Sequence, residues 1–212
     1  MAVYAVDDYG RDPHLVAALS PLARLRWNVS VTGAGNIPGT AALLVCNSRR
    51  FSLGAVYAAL ALSDTTGRTV RFVGRPDTAP LGPLMRRVGA LLAHPADVLS
   101  ALRDGDLVMV SAAGTAHARQ AGAVPHELVG QAVIAQVPVL PVTTINSRFG
   151  RAAHVVVGPV VTARRKRSGP LAHVELAERV QHQLQRMLDN DGAVDVDVEG
   201  DVEDDLAVED DV

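Results

Sequence analysis

The residues of this 212-residue chain whose types could do chemistry gather in a few short runs. Ser48 lies in Cys46-Asn47-Ser48-Arg49-Arg50-Phe51-Ser52-Leu53, directly behind the apolar Ala41-Ala42-Leu43-Leu44-Val45. A serine hydroxyl attacks an acyl group only when a neighbouring base takes its proton. Ser48 is in no Gly-x-Ser-x-Gly elbow, the strained turn that presents a hydrolase nucleophile. His94, His117 and His126 are the candidate bases. Their spacings match no zinc pattern and no Cys or Asp cluster accompanies them, so no metal is expected and they read as loop histidines. His117 is the most interesting, because it follows a second run, Val110-Ser111-Ala112-Ala113-Gly114-Thr115. The basic run Arg164-Arg165-Lys166-Arg167 has no interleaved aromatics on which bases of a single strand would stack. It reads as a solvated loop, and nucleic acid is not an expected partner. Gly33-Ala34-Gly35-Asn36-Ile37-Pro38-Gly39 superficially matches a dinucleotide loop, but such a loop must open a helix. Here Pro38 and an apolar strand pattern follow, so a turn between strands is expected.

The elements that must position these residues alternate. Strand patterns fall at Trp27–Val31, Ala41–Cys46, Thr69–Gly74, Leu107–Val110, Val137–Thr143 and His154–Val161. Helical patterns fall at Pro13–Arg26, Phe51–Leu62, Pro80–Arg87, Ala96–Arg103, Val124–Gln136 and Ala172–Leu188. Pro21 should bend or interrupt the first helix. The last is amphipathic, with Val174, Ala177, Val180, Leu184 and Leu188 near one face. This alternation predicts a single α/β domain with a central mixed, largely parallel sheet flanked by helices. Residues 1–12 read as a flexible lead-in, 13–188 as the domain, and 189–212 as an acidic tail.

Composition agrees. Apolar residues make up 48% and aromatics 3% of the chain, so the core must be built from Ala, Val and Leu. The single cysteine, Cys46, excludes an internal disulfide and a Cys-rich zinc site, and reads as a small buried hydrophobe. The net charge of −3 conceals an asymmetry. Residues 189–212 hold 12 acidic and no basic side chains, leaving 11 acidic against 20 basic residues in 1–188, a balance of +9. Self-repulsion should leave the tail disordered, and a basic body suits an anionic partner such as a phosphate head group or an anionic membrane surface. The N-terminus has no basic start or apolar core of a signal peptide. The longest near-continuous apolar stretch, Leu53 to Leu62, is too short to span a bilayer. A cytoplasmic protein, soluble or peripheral at the inner face of the membrane, is expected.

The two runs resemble the hallmark blocks of the glycerolipid (lysophosphatidate, PlsC-like) acyltransferase family, Asn-His-x-x-x-x-Asp and Phe-Pro-Glu-Gly-Thr. Asn47, Gly114 and Thr115 match the family pattern, whereas Ser48, Leu53 and Ala113 replace its His, Asp and Glu. Gly89-Ala90-Leu91-Leu92-Ala93-His94-Pro95 resembles a further block, with Pro95 near its Arg, and Ala116 stands where an Arg usually follows the Thr. Val137-Pro138-Val139-Leu140-Pro141-Val142 is similar to the last block. The similarity spans roughly residues 22–188.

In that family the His takes the proton of the attacking hydroxyl and the Asp orients it, a task suited to an imidazole that titrates near neutrality. A Ser48 hydroxyl titrates far too high to act as that base, and Leu53 accepts no hydrogen bond. The resemblance therefore implies the fold, a pocket behind Asn47, and a reaction centre without its acid–base groups. It implies no cofactor. It places Arg49, Arg50, Arg75, Arg86 and Arg87 around the pocket mouth as an anion site, with Asn47, Gly114, Thr115 and His117 beside it. Three readings stand. The first is a catalytically degenerate member that binds a lipid, an acyl carrier protein or a partner enzyme. The second is an active acyltransferase, using acyl-CoA or acyl carrier protein and a lysophospholipid, with Ser48, Asn47, His94 or His117 as a nonstandard base. The third is a basic anion- or membrane-binding module.

Overall fold

Seven strands meet in one sheet in the computed structural model, which describes residues 6–26, 28–47, 53–74, 80–115, 117, 119–146, 152–162 and 169–199. The strands are β1 (Asn28–Thr32), β2 (Ala42–Cys46), β3 (Val70–Gly74), β4 (Ala90–Leu92), β5 (Leu107–Ser111), β6 (Val139–Asn146) and β7 (Ala152–Val157). They lie in the order β1-β7-β6-β2-β5-β3-β4. From β6 to β4 all neighbours are parallel. β7 returns antiparallel to β6, and β1 pairs parallel with β7. The sheet is mixed and largely parallel, in agreement with the alternation of patterns.

The helices are α1 (Pro13–Arg26), α2 (Gly54–Thr66), α3 (Gly82–Arg87), α4 (Pro95–Arg103), α5 (His126–Ala135) and α6 (Pro170–Glu199). Successive side chains of a strand point to opposite faces, so Leu43 and Leu44 enter different cores. Leu43 and Val45 join Val108, Val110 and Val139 beneath α4, α5 and α6. Ala42, Leu44 and Cys46 join Leu107, Met109 and Leu140 against Tyr57, Ala58 and Leu62 of α2. Both faces of β2 are therefore buried, which explains its unbroken apolar run. α5 and α6 approach closely at Gly130, where a Cβ would stand 2.4 Å from Nδ1 of His173.

Several elements depart from their expected bounds. β4 went unread because three residues are too few for alternation to register. β7 begins and ends earlier than His154–Val161, since Gly158-Pro159 closes it. α1 runs through Pro21, losing one ring of its hydrogen-bond ladder without ending. On α6 the buried stripe is Leu176, Ala177, Val180, Leu184 and Leu188, with Val174 only half-buried. The same helix continues past Leu188 to Glu199, into the segment expected to lack structure, because adding a residue to an existing helix costs far less than starting one.

The lead-in is anchored from Asp7 onward. Asp7 Oδ1 accepts the backbone N–H of Tyr9 at 3.1 Å and of Arg11 at 2.8 Å. Arg71, 5% exposed near the start of β3, donates to Asp7 at 2.7 Å and to Asp106, with Tyr9 stacked over its guanidinium. Asp12 caps α1 through Leu15 N–H at 3.0 Å and receives Arg87 at 2.6 Å. These contacts strap residues 7–12 across the amino ends of the parallel strands.

Candidate functional site

The carboxyl ends of β2, β5 and β6 meet where the two motif runs begin. Asn47 is 2% exposed and its amide is turned onto β6. Its Nδ2 donates to Thr144 O at 3.1 Å, while its Oδ1 accepts Thr144 N–H at 2.6 Å and Thr144 Oγ1 at 3.1 Å. Its own N–H donates to Val142 O at 3.3 Å. Beside it, Cys46 Sγ lies 3.6 Å from Ser111 Oγ. Burial pushes the Cys46 thiol up to about 11, against the smaller opposing effect of Ser111, so it stays protonated and inert at neutral pH.

Leu53 precedes the first turn of α2 and its carbonyl accepts from Val56 and Tyr57. Its side chain is half-exposed and caps nothing. Beyond β5 the chain forms a loop held in three ways. Ala112 N–H donates to Cys46 O at 2.8 Å, and Ala113 N–H to Ala123 O at 2.8 Å. Thr115 Oγ1 donates to the carbonyl of His117 at 2.7 Å, closing a small turn. Gln185 of α6 accepts from Ala121 N–H at 2.9 Å and donates to Arg119 O at 3.2 Å. Gly122 passes so close to Ala113 that a Cβ would lie 1.8 Å from its carbonyl oxygen. Ala113, Gly114 and the His117 side chain are exposed on this loop. Hydrogen bonds thus hold the described ends of the first run and the described part of the loop after β5.

The expected residues divide into three groups. Asn47, Leu53, Ala113, Gly114, Thr115 and His117 do lie at the carboxyl ends of neighbouring strands. His94 lies at that end too, and its Nδ1 accepts from Ala96 N–H at 3.3 Å to cap α4. Arg86 and Arg87 do not belong to this end. α3 carries the chain from the carboxyl end of β3 back to the amino end of β4, so its last residues sit at the opposite edge. There Arg87 pairs with Asp12, and Arg86 lines a groove of about 560 Å³ with Asp7, Asp8 and Asp97. Ser48, Arg49, Arg50, Arg75 and Arg164 to Arg167 lie outside the described residues. The Gly33–Gly39 run is a turn, as expected: Ala34–Asn36 form one 3-10 turn and Asn36 Nδ2 donates to Val157 O at 2.9 Å. Among the described residues no group of His, Cys, Asp and Glu is placed to hold a metal ion. No described helix is long and apolar enough to cross a membrane.

Thr144 and Gln185 were not singled out in the sequence. Each acts across 64 to 97 residues of chain, and no local spacing marks such a partnership.

A mixed, mostly parallel seven-stranded sheet between helix layers is the fold of the PlsC-like acyltransferases, and this chain has that fold. Among solved structures it is similar to the 1-acyl-sn-glycerophosphate (LPA) acyltransferase PlsC from Thermotoga maritima. The two align with a TM-score of 0.63 over 85% of this chain and 80% of that one, at 16% identity. No protein-family model and no curated protein matches the chain.

Proposed function

We propose that this is a catalytically degenerate acyltransferase-fold protein. It keeps the frame of the reaction centre and uses it to bind a lipid, an acyl carrier protein or a partner enzyme. Leu53 carries the reading: an apolar, half-exposed side chain stands before α2, where the motif alignment puts the carboxylate that would steady an imidazolium. Ser48 in place of the His and Ala113 in place of the Glu remove the other two polar groups. Without a base near neutral pKa, the hydroxyl proton of an acceptor has nowhere to go. The basic balance of residues 1–188 favours a phosphate-bearing partner, met at the inner membrane face.

The test is acyl transfer from acyl-CoA and from acyl carrier protein to lysophosphatidate and glycerol phosphate. The native chain is assayed beside a Ser48→His, Leu53→Asp, Ala113→Glu variant. An inert native chain that binds lysophosphatidate or acyl carrier protein in calorimetry supports the reading, and activity gained by the variant adds that the pocket is open. Turnover by the native chain, abolished at Ser48, His94 or His117, overturns it in favour of a nonstandard base. An inert chain that binds only anionic liposomes, and less in salt, makes it a surface-binding module instead.

A further inference from the structure

Ser30, Thr32 and His154 meet on the sheet face turned away from α2. Val29 and Val31 of β1, and Ala153 and Val155 of β7, point into the α2 core, so the residues between them point the other way. The parallel register sets Ser30 directly beside His154. Ser30 Oγ lies 2.6 Å from His154 Nδ1, and Thr32 Oγ1 lies 3.3 Å from Nε2. Ser30 and Thr32 are exposed and His154 is half-buried. β1 stands three strands from β2, or about 14 Å at the usual strand spacing, so the cluster is separate from the motif runs.

A neutral imidazole donates from one nitrogen and accepts at the other. If Nε2–H donates to Thr32, the Nδ1 lone pair receives the Ser30 hydroxyl proton. In the opposite tautomer Nδ1–H donates to Ser30 Oγ, and the Ser30 proton turns to water or to the Ala153 carbonyl at 3.5 Å. The first arrangement is that of an activated nucleophile: a hydroxyl on a base, and the base oriented by a third group.

We propose that Ser30 is a nucleophile activated by His154 and positioned through Thr32, and that it accepts acyl groups from small activated esters or thioesters. Ser30 Oγ forms the bond to the acyl carbon as its proton passes to Nδ1. The bond from that carbon to the leaving oxygen or sulfur breaks, and the proton on Nδ1 goes to the leaving group. The product is acyl-Ser30 and a free alcohol or thiol. Ser30 and Thr32 are exposed among the described residues, which suits small donors. This inference is independent of the acyltransferase-like reading and survives if that reading fails.

The test uses the full native chain and 4-nitrophenyl acetate, following nitrophenolate release and mapping the acetyl group by peptide mass. Lys166 is the chain's single lysine, so amine acetylation gives little background. The expected result is one acetyl group per chain on Ser30, absent in Ser30→Ala and in urea-unfolded protein. His154→Gln, which keeps a polar side chain on the strand, should slow acetylation about 100-fold or more, the usual scale of general-base catalysis. Thr32→Val, which leaves the base in place, should slow it less and serves if His154→Gln does not fold. No acetyl group on Ser30, or a rate unchanged in these variants, overturns the proposal and leaves a cross-strand hydrogen bond.

Discussion

Three hydrogen bonds join the Asn47 side chain to Thr144 in a fully buried setting. A buried polar group left without its partner costs about 1–3 kcal/mol, so Asn47→Ala, which strands the Thr144 N–H and carbonyl together, should cost about 2–4 kcal/mol in urea unfolding. Thr144→Val keeps both backbone bonds and should cost less. At Gly122 the limit is space rather than polarity. Gly122→Ala would drive a Cβ into the Ala113 carbonyl and should lose about 1–3 kcal/mol, the range for overpacking a tight site. The same variant should shift the amide resonances of Ala113 and Thr115 while leaving those of α3 in place. The place of Asn47 at the end of β2 was legible because the apolar run before it is local. Its fastening to Thr144 was not, since that is a contact across 97 residues.

At the scale of elements, the strap of residues 7–12 makes the amino end of the sheet sensitive to acid. Burial would raise the Asp7 carboxyl, but hydrogen bonds from Arg71, Arg11 and Tyr9 and the Arg71 charge outweigh it and hold it below its ordinary 3.8. Arg87, hydrogen-bonded to Asp12, lowers that carboxyl too. Both groups are more acidic folded than unfolded. Their contribution is therefore complete above pH 3.8 and is lost as pH falls through the lowered folded values. Urea midpoints measured downward from pH 5 should fall through this window, and the fall should be shallower in Asp7→Asn. Arg71→Ala leaves two carboxylates without their cation, and should cost about 3–5 kcal/mol at neutral pH. The sequence identified α2, α4, α5 and β5 within a few residues because their apolar periods run long enough to see. It missed this strap because Asp7, Arg71 and Asp106 come together only when β3 and β5 are neighbours.

At the scale of the whole molecule, one sheet serves two cores. Leu43→Ala empties the side under α4, α5 and α6, and Leu44→Ala the side under α2. Each should cost about 2–5 kcal/mol, as for other buried leucines. Because β2 belongs to both cores, either variant should lower a single transition, with far-UV and near-UV ellipticity changing together. Separate midpoints would show that the layers melt independently. The fold class was legible from alternation alone, since parallel strands need helical crossovers between them. The swing of α3, which takes Arg86 and Arg87 to the far end, was not: a motif gives order along the chain and says nothing of which end of a helix meets the cleft.

The pairing of β1 bears on how the chain leaves the ribosome. Its neighbour in the sheet is β7, and Ser30 and His154 are 124 residues apart. At the common rate of about 5–20 residues per second, β1 waits roughly 6–25 s after synthesis for the strand that completes it. The parallel strands from β2 to β5 emerge in that interval and can assemble first. A nascent chain stalled before Ala152 would present the strand Asn28–Thr32 and the open flank of β6 as two unsatisfied edges, each a template for a neighbouring chain. The sheet can thus be completed from its β4 flank toward β1, so that the first strand made is the last to be joined.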